Sequence, residues 1–167
     1  MNLDALPYTS FLVLLEFSVG GLLVCVLADW RGDVAASFVK FCAAMAAAGA
    51  AVLLLNAFAL DPNSVVGGYA LRDEALPCVQ AGSAAFLVAT LPYNLFVLRE
   101  EKRASLYGGI AALAIGGALV AIVCWYLELP TWGFAGILLS LAAGTVSVGA
   151  VVLAMTLGHW YLVTPRL

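Results

Sequence analysis

Apolar positions along this chain gather into five long stretches separated by short clusters of charge, proline and glycine. A bilayer hydrocarbon core near 30 Å thick needs about 20 apolar helical residues to cross it, and each stretch meets that length. The first runs over about 8–28 and stops at Asp29-Trp30-Arg31-Gly32-Asp33. The second, about 34–60, ends at Asp61-Pro62-Asn63, a sequence unsuited to continuing a helix. The longest connection follows, with Gly67-Gly68 and Arg72-Asp73-Glu74. The third stretch, about 76–98, holds Pro92 and is closed by Arg99-Glu100-Glu101-Lys102-Arg103, which cannot lie in lipid. The fourth and fifth, about 106–127 and 131–163, are separated only by Glu128-Leu129-Pro130, so they are predicted to form an antiparallel hairpin. At about 1.5 Å per residue the fifth would reach roughly 50 Å and must tilt, break near its glycines or protrude.

The pattern therefore predicts an all-α membrane protein, a single domain over 1–167 built as a bundle of five transmembrane helices. Lys and Arg orient it, because they accumulate in cytoplasmic connections. Five crossings put Arg31, Lys40, Arg99, Lys102, Arg103 and Arg166 on one side and only Arg72 on the other. The N-terminus is thus expected outside and the C-terminus in the cytoplasm, in a bacterial cytoplasmic (inner) membrane. Aromatic residues fall at the two interfaces this topology defines: Tyr8, Trp125, Tyr126 and Trp132 at the outer one, Trp30, Tyr107, Trp160 and Tyr161 at the inner one.

Composition strengthens the membrane assignment. Of the 167 residues 65% are hydrophobic and 10% charged, against roughly 25% charged in a soluble domain. Lipid is the expected surrounding. The formal charge of -3 and the lack of a basic run set nucleic acid aside. Met1 to Pro7 carries Asp4 and no Lys or Arg, so the first stretch reads as a retained helix rather than a signal peptide. Cys25, Cys42, Cys78 and Cys124 lie far apart with no C-x-x-C pair, and read as small packing residues. Close helix approach in lipid uses small residues. Gly136, Ser140 and Gly144 recur every four residues on the fifth helix and Ala112 and Gly116 on the fourth, which predicts that these two helices pack closely.

Candidate chemistry centres on Glu16, near the middle of the first span in Leu14-Leu15-Glu16-Phe17-Ser18. A charged carboxylate at that depth costs at least about 2.5–3.5 kcal/mol, so the group is expected to face the bundle interior and stay protonated unless a cation or several donors meet it. It is the candidate for proton relay or cation binding, with a neutral carboxyl that joins two helices as the alternative. Ser83 and Thr90 on the third helix and Thr145 and Ser147 on the fifth lie at comparable depth and are expected as partners. Thr90, Tyr93 and Asn94 surround Pro92, whose missing donor frees a carbonyl about a turn earlier, and form either a polar lining or a self-satisfied kink. Lys40 reads as an interfacial anchor reaching toward Asp29 or Asp33.

His159, the one histidine, cannot supply paired haem ligands or a multi-histidine metal site. It is a candidate contact for a partner, a pigment or a quinone. No metal site and no cofactor held by this chain alone is expected; contact with lipid or quinone is compatible with the pattern. Nucleotide loops, nucleophile elbows and H-E-x-x-H are absent, so the common enzyme signatures are missing. Two functions fit: a non-catalytic membrane subunit of a respiratory or photosynthetic complex, bound to other membrane subunits or to itself, and a proton- or ion-coupled transporter of small solutes, working as an oligomer. Reporters inserted at Gly67 and at Lys102 are expected on opposite sides of the membrane; both on one side would refute the count of crossings.

Overall fold

A computed structural model describes residues 5–61, 65–66, 69–127 and 133–163. Its main elements are five helices: α1 (Leu6–Arg31), α2 (Ala36–Phe58), α3 (Leu76–Leu98), α4 (Lys102–Tyr126) and α5 (Gly133–Val163). Each is long and apolar enough to cross a membrane. Helices suit this role because they satisfy their backbone groups internally, leaving nothing polar to face lipid. α1 exceeds its apolar stretch by two or three residues at each end and α4 begins at Lys102, inside the charged cluster, whereas α3 matches its stretch and α2 is two residues shorter at each end. Hydropathy marks what lies in hydrocarbon, whereas the helical hydrogen-bond ladder continues into the interface, where long basic side chains are tolerated. α5 is continuous through its glycines, so its length is not relieved by a break.

Between α2 and α3 the chain adds a short antiparallel pair, β1 (Val65–Val66) and β2 (Tyr69–Ala70), then a 3₁₀ turn at Asp73–Ala75. Two bonds tie this connection to the bundle. Tyr8 Oη donates to the Asp61 carbonyl at 2.9 Å, and the Arg72 N–H donates to the Tyr126 carbonyl at 3.2 Å.

α1 is the hub. It packs against α2, α4 and α5, while α3 closes the circuit by packing on α2 and α4. The buried core of this four-helix unit includes Phe11, Leu15, Leu22, Leu53, Phe86 and Leu119. α5 lies outside it, chiefly against α1 and only slightly against α4. The expected close pairing of α4 with α5 is therefore corrected. Ala112 and Gly116 are buried, and Gly116 meets other neighbours: a Cβ built on it would lie 2.9 Å from Phe86 Cε2 and 3.3 Å from Val19 Cγ1. The gap left by this glycine receives large side chains of α3 and α1, so it is not open to α5.

At the opposite end from the β pair, α1 closes on Gly32, left-handed at φ 70, whose N–H donates to the Ala28 carbonyl at 3.0 Å. α3 closes on an equivalent turn with a glutamate in the left-handed position, Glu100 at φ 61. The N–H groups of Glu100 and Glu101 reach back to the carbonyls of Val97 and Phe96, at 3.2 and 3.0 Å. Lys40 is an anchor here, but its partner is Glu100 at 2.7 Å, not Asp29 or Asp33 as expected. Asp33 pairs with Arg31, and Asp29 accepts a 2.7 Å hydrogen bond from Ser105 Oγ that joins α1 to the start of α4.

The ammonium of Lys40 holds the Glu100 carboxyl below the ordinary carboxylate range. A depressed value means that the contact contributes above the unfolded-state pKa and is lost as pH falls through the lowered one. Its contribution is small, since the side chains remain 31% and 66% exposed. Backbone preference should outweigh it. Glu100→Gly is expected to melt at the same temperature or higher in detergent, followed by circular dichroism, and Glu100→Val lower, because a β-branched residue resists positive φ. A lower melting temperature for Glu100→Gly would show that the ion pair dominates.

Candidate functional site

The seam between α1 and α5 is set by two glycines. A Cβ on Gly20 would overlap the Thr145 carbonyl and lie 3.0 Å from the Gly149 nitrogen. Conversely, a Cβ on Gly149 would lie 3.1 Å from the Gly20 Cα. Backbone therefore touches backbone, the close approach that small residues permit between helices in lipid. Both glycines are buried.

One turn from Gly20 on α1 stands Glu16, half-buried. Its carboxyl lies against Gly144 on α5, where any Cβ would overlap it. Gly144 is thus a notch that admits the carboxyl into the seam. No ion pair to Glu16 occurs among the described residues, and no group of three or more potential metal ligands gathers among them. The site is a carboxyl at the junction of two helices, with space made for it and no fixed cation beside it.

The hydroxyls expected to meet Glu16 are committed elsewhere. Ser83 donates to Val79 at 2.8 Å, Thr90 to Leu87 at 2.7 Å and Thr145 to Leu141 at 2.7 Å, each to its own helix backbone. Ser147 is exposed on the far face of α5, as is Ser140, and Gly136 is half-exposed. Asn94 donates to the Thr90 carbonyl at 3.0 Å, so Thr90 and Asn94 beside Pro92 both bond to their own helix backbone. His159 lies in α5, fifteen residues beyond Gly144 and so about 22 Å along the axis; its side chain lies outside the described residues. The seam and His159 are separate places.

Tyr93 departs most from expectation. It is fully buried, and its hydroxyl lies 3.2 Å from Cys25 Sγ. Cys25 Sγ also donates to the Val39 carbonyl at 3.5 Å, one turn from Cys42, which lines a cavity together with Thr156 of α5. The cluster joins α1, α2, α3 and α5. Motif spacing could not show it, yet the hairpin symmetry could have: Cys25 is six residues back from Arg31, the end of α1, and Cys42 six on from Ala36, the start of α2. Cys78, by contrast, is exposed and Cys124 buried.

A cavity of about 170 Å³ between α1, α2 and α5 is lined almost wholly by apolar side chains, with Cys42 and Thr156 on its wall. A second, of about 200 Å³, lies among Asp29, Glu100, Lys102 and Ser105 at the charged end of the bundle. Three of its polar groups are already engaged, Asp29 and Ser105 with each other and Glu100 with Lys40.

Five helices long and apolar enough to cross a membrane are compatible with a polytopic membrane protein. Comparison with known protein families, curated proteins and solved structures finds no match. The geometry of the seam yields its own test. Gly149→Val forces a branched side chain into backbone contact and is expected to cost about 1–3 kcal/mol, read as a lower melting temperature in detergent. Gly144→Ala, which meets only a movable carboxyl, should cost less and instead push Glu16 out of the seam. Equal losses in the two variants would contradict this account.

Proposed function

We propose that this chain is a non-catalytic membrane subunit of a larger energy-transducing assembly, respiratory or photosynthetic. It would sit in a bacterial cytoplasmic membrane with its N-terminus outside. The observation that carries the reading is the outward face of α5. Ser140, Ala143, Ser147, Ala150, Ala154 and Gly158 are all exposed there and follow one another at intervals of three or four, continuing from half-exposed Gly136. Larger exposed side chains, Leu139, Val146 and Val151, flank the row. Intervals of three and four make a straight seam down a helix, and small residues along it let a second helix approach closely. The sequence puts small residues where contact with lipid alone would favour none over larger apolar ones. Short connections and a single histidine make the role one of scaffolding rather than cofactor carriage.

Purification in mild detergent from native membranes tests the proposal. Other membrane subunits are expected to co-purify with the parent chain. They should be lost from Ala143→Phe/Ser147→Phe, with helical content unchanged by circular dichroism. A parent chain recovered alone would count against the subunit role.

The Glu16 carboxyl in its Gly144 notch favours a second reading, a proton- or cation-coupled transporter. Glu16→Gln separates the two, since it keeps hydrogen bonding and abolishes titration. Under the subunit reading the variant assembles as the parent does. Reconstituted protein that by itself moves protons or cations into liposomes, and stops doing so with Glu16→Gln, would establish the transporter.

A further inference from the structure

We infer that Cys25 and Cys42 form a redox-active dithiol, closed to a disulfide between α1 and α2 by a lipid-soluble quinone that reaches Cys42 through the apolar cavity. Three observations, all separate from the docking face of α5, support this. The two residues stand level across a helical hairpin: Cys25 Sγ reaches the α2 backbone at the Val39 carbonyl, one turn before Cys42, and Cys42 shares a cavity wall with Gly21 and Val24 of α1. Cys25 is wholly buried and held by Tyr93 Oη at 3.2 Å and the Val39 carbonyl at 3.5 Å, so its sulfur has a fixed position. Cys42 is half-buried and lines the cavity with Phe17, Gly21, Met45, Val152 and Met155. Water-soluble oxidants are disfavoured in such surroundings; an apolar ring partitioned into the bilayer is not. Met155, 70% exposed, stands on the lipid side of the cavity.

The chemistry balances with the quinone as the only co-reactant. Both S–H bonds break and one S–S bond forms between Cys25 and Cys42. The two electrons pass to the quinone ring, the two protons end on its oxygens, and a quinol returns to the bilayer. Tyr93, against Cys25, is placed to donate to that sulfur while its proton departs. Each pair reacts once per reduction, so it reports the oxidation state of the quinone pool rather than turning over, and its product pins α1 to α2.

The test uses the full chain in detergent, reduced, freed of reductant under argon and mixed with decylubiquinone. One quinol per chain is expected by absorbance, together with a Cys25–Cys42 disulfide found by peptide mass. Both products should vanish in Cys42→Ser; should Cys25→Ser fail to fold, the half-buried Cys42 position carries the same control. Met155→Trp, a change at the exposed mouth of the cavity, should slow the reaction with quinone about tenfold or more by limiting access, while the pair still closes with diamide. Closure with diamide but not with the quinone would overturn the quinone assignment. Absence of the disulfide with either oxidant would overturn the pairing, and an unchanged rate in Met155→Trp would overturn the route.

Discussion

Helices already in hydrocarbon gain little from hiding apolar surface from lipid, so they associate where shapes fit closely enough for packing to win. In this chain that constraint falls on α1, which touches α2, α4 and α5. Its neighbours present gaps to it. Gly116 on α4 accepts Val19 and the α3 ring of Phe86, Gly49 on α2 accepts Phe17 and Ser18, and Gly149 on α5 meets Gly20 backbone to backbone. Remove the fit around α1 and α5 loses its main neighbour, whereas α3 still joins α2 to α4.

The polar groups follow the same logic. Ser18, Ser83, Thr90 and Thr145 are buried, and each satisfies its hydroxyl on a carbonyl of its own helix. Such bonds are available before the helices meet, so they do not select partners. The selective polar contacts lie elsewhere. Tyr8 to Asp61 and Arg72 to Tyr126 fasten one end, while Lys40 to Glu100 and Ser105 to Asp29 fasten the other. Between them, in the apolar middle, stand Cys25 with Tyr93 and Glu16 with its notch. A thiol and a phenol lose little by leaving water, whereas a carboxyl loses much unless it is neutral. Of the two interior clusters, the Glu16 seam is therefore the one that needs a functional or assembly-based compensation.

α5 differs in character from the other helices. It has one committed neighbour and a broad remaining face on which small residues run in register. That register suits the assembly role proposed above. This is why an assembly role and the interior chemistry of the α1–α5 seam are compatible: the inner face of α5 meets Glu16, and the outer one is free for a second helix.

Five membrane-spanning helices were legible in the amino-acid order because crossing a bilayer imposes a length and an apolar composition on each segment locally, without reference to any other segment. The depth of Glu16 was legible for the same reason. Which helices touch was not. Gly136, Ser140 and Gly144 share one spacing, yet Gly144 faces Glu16 while Ser140 is exposed, and Gly116 faces Phe86 and Val19 instead of α5. A small residue says that something can come close, not what does. The thiol cluster was hidden likewise, since Cys25, Cys42 and Tyr93 are brought together only when α1, α2 and α3 pack. Sequence by itself determined the five long apolar helices and the position of each polar group along them. Tertiary structure alone decided which gaps were filled and by what, because packing between helices depends on the shapes of both partners at once.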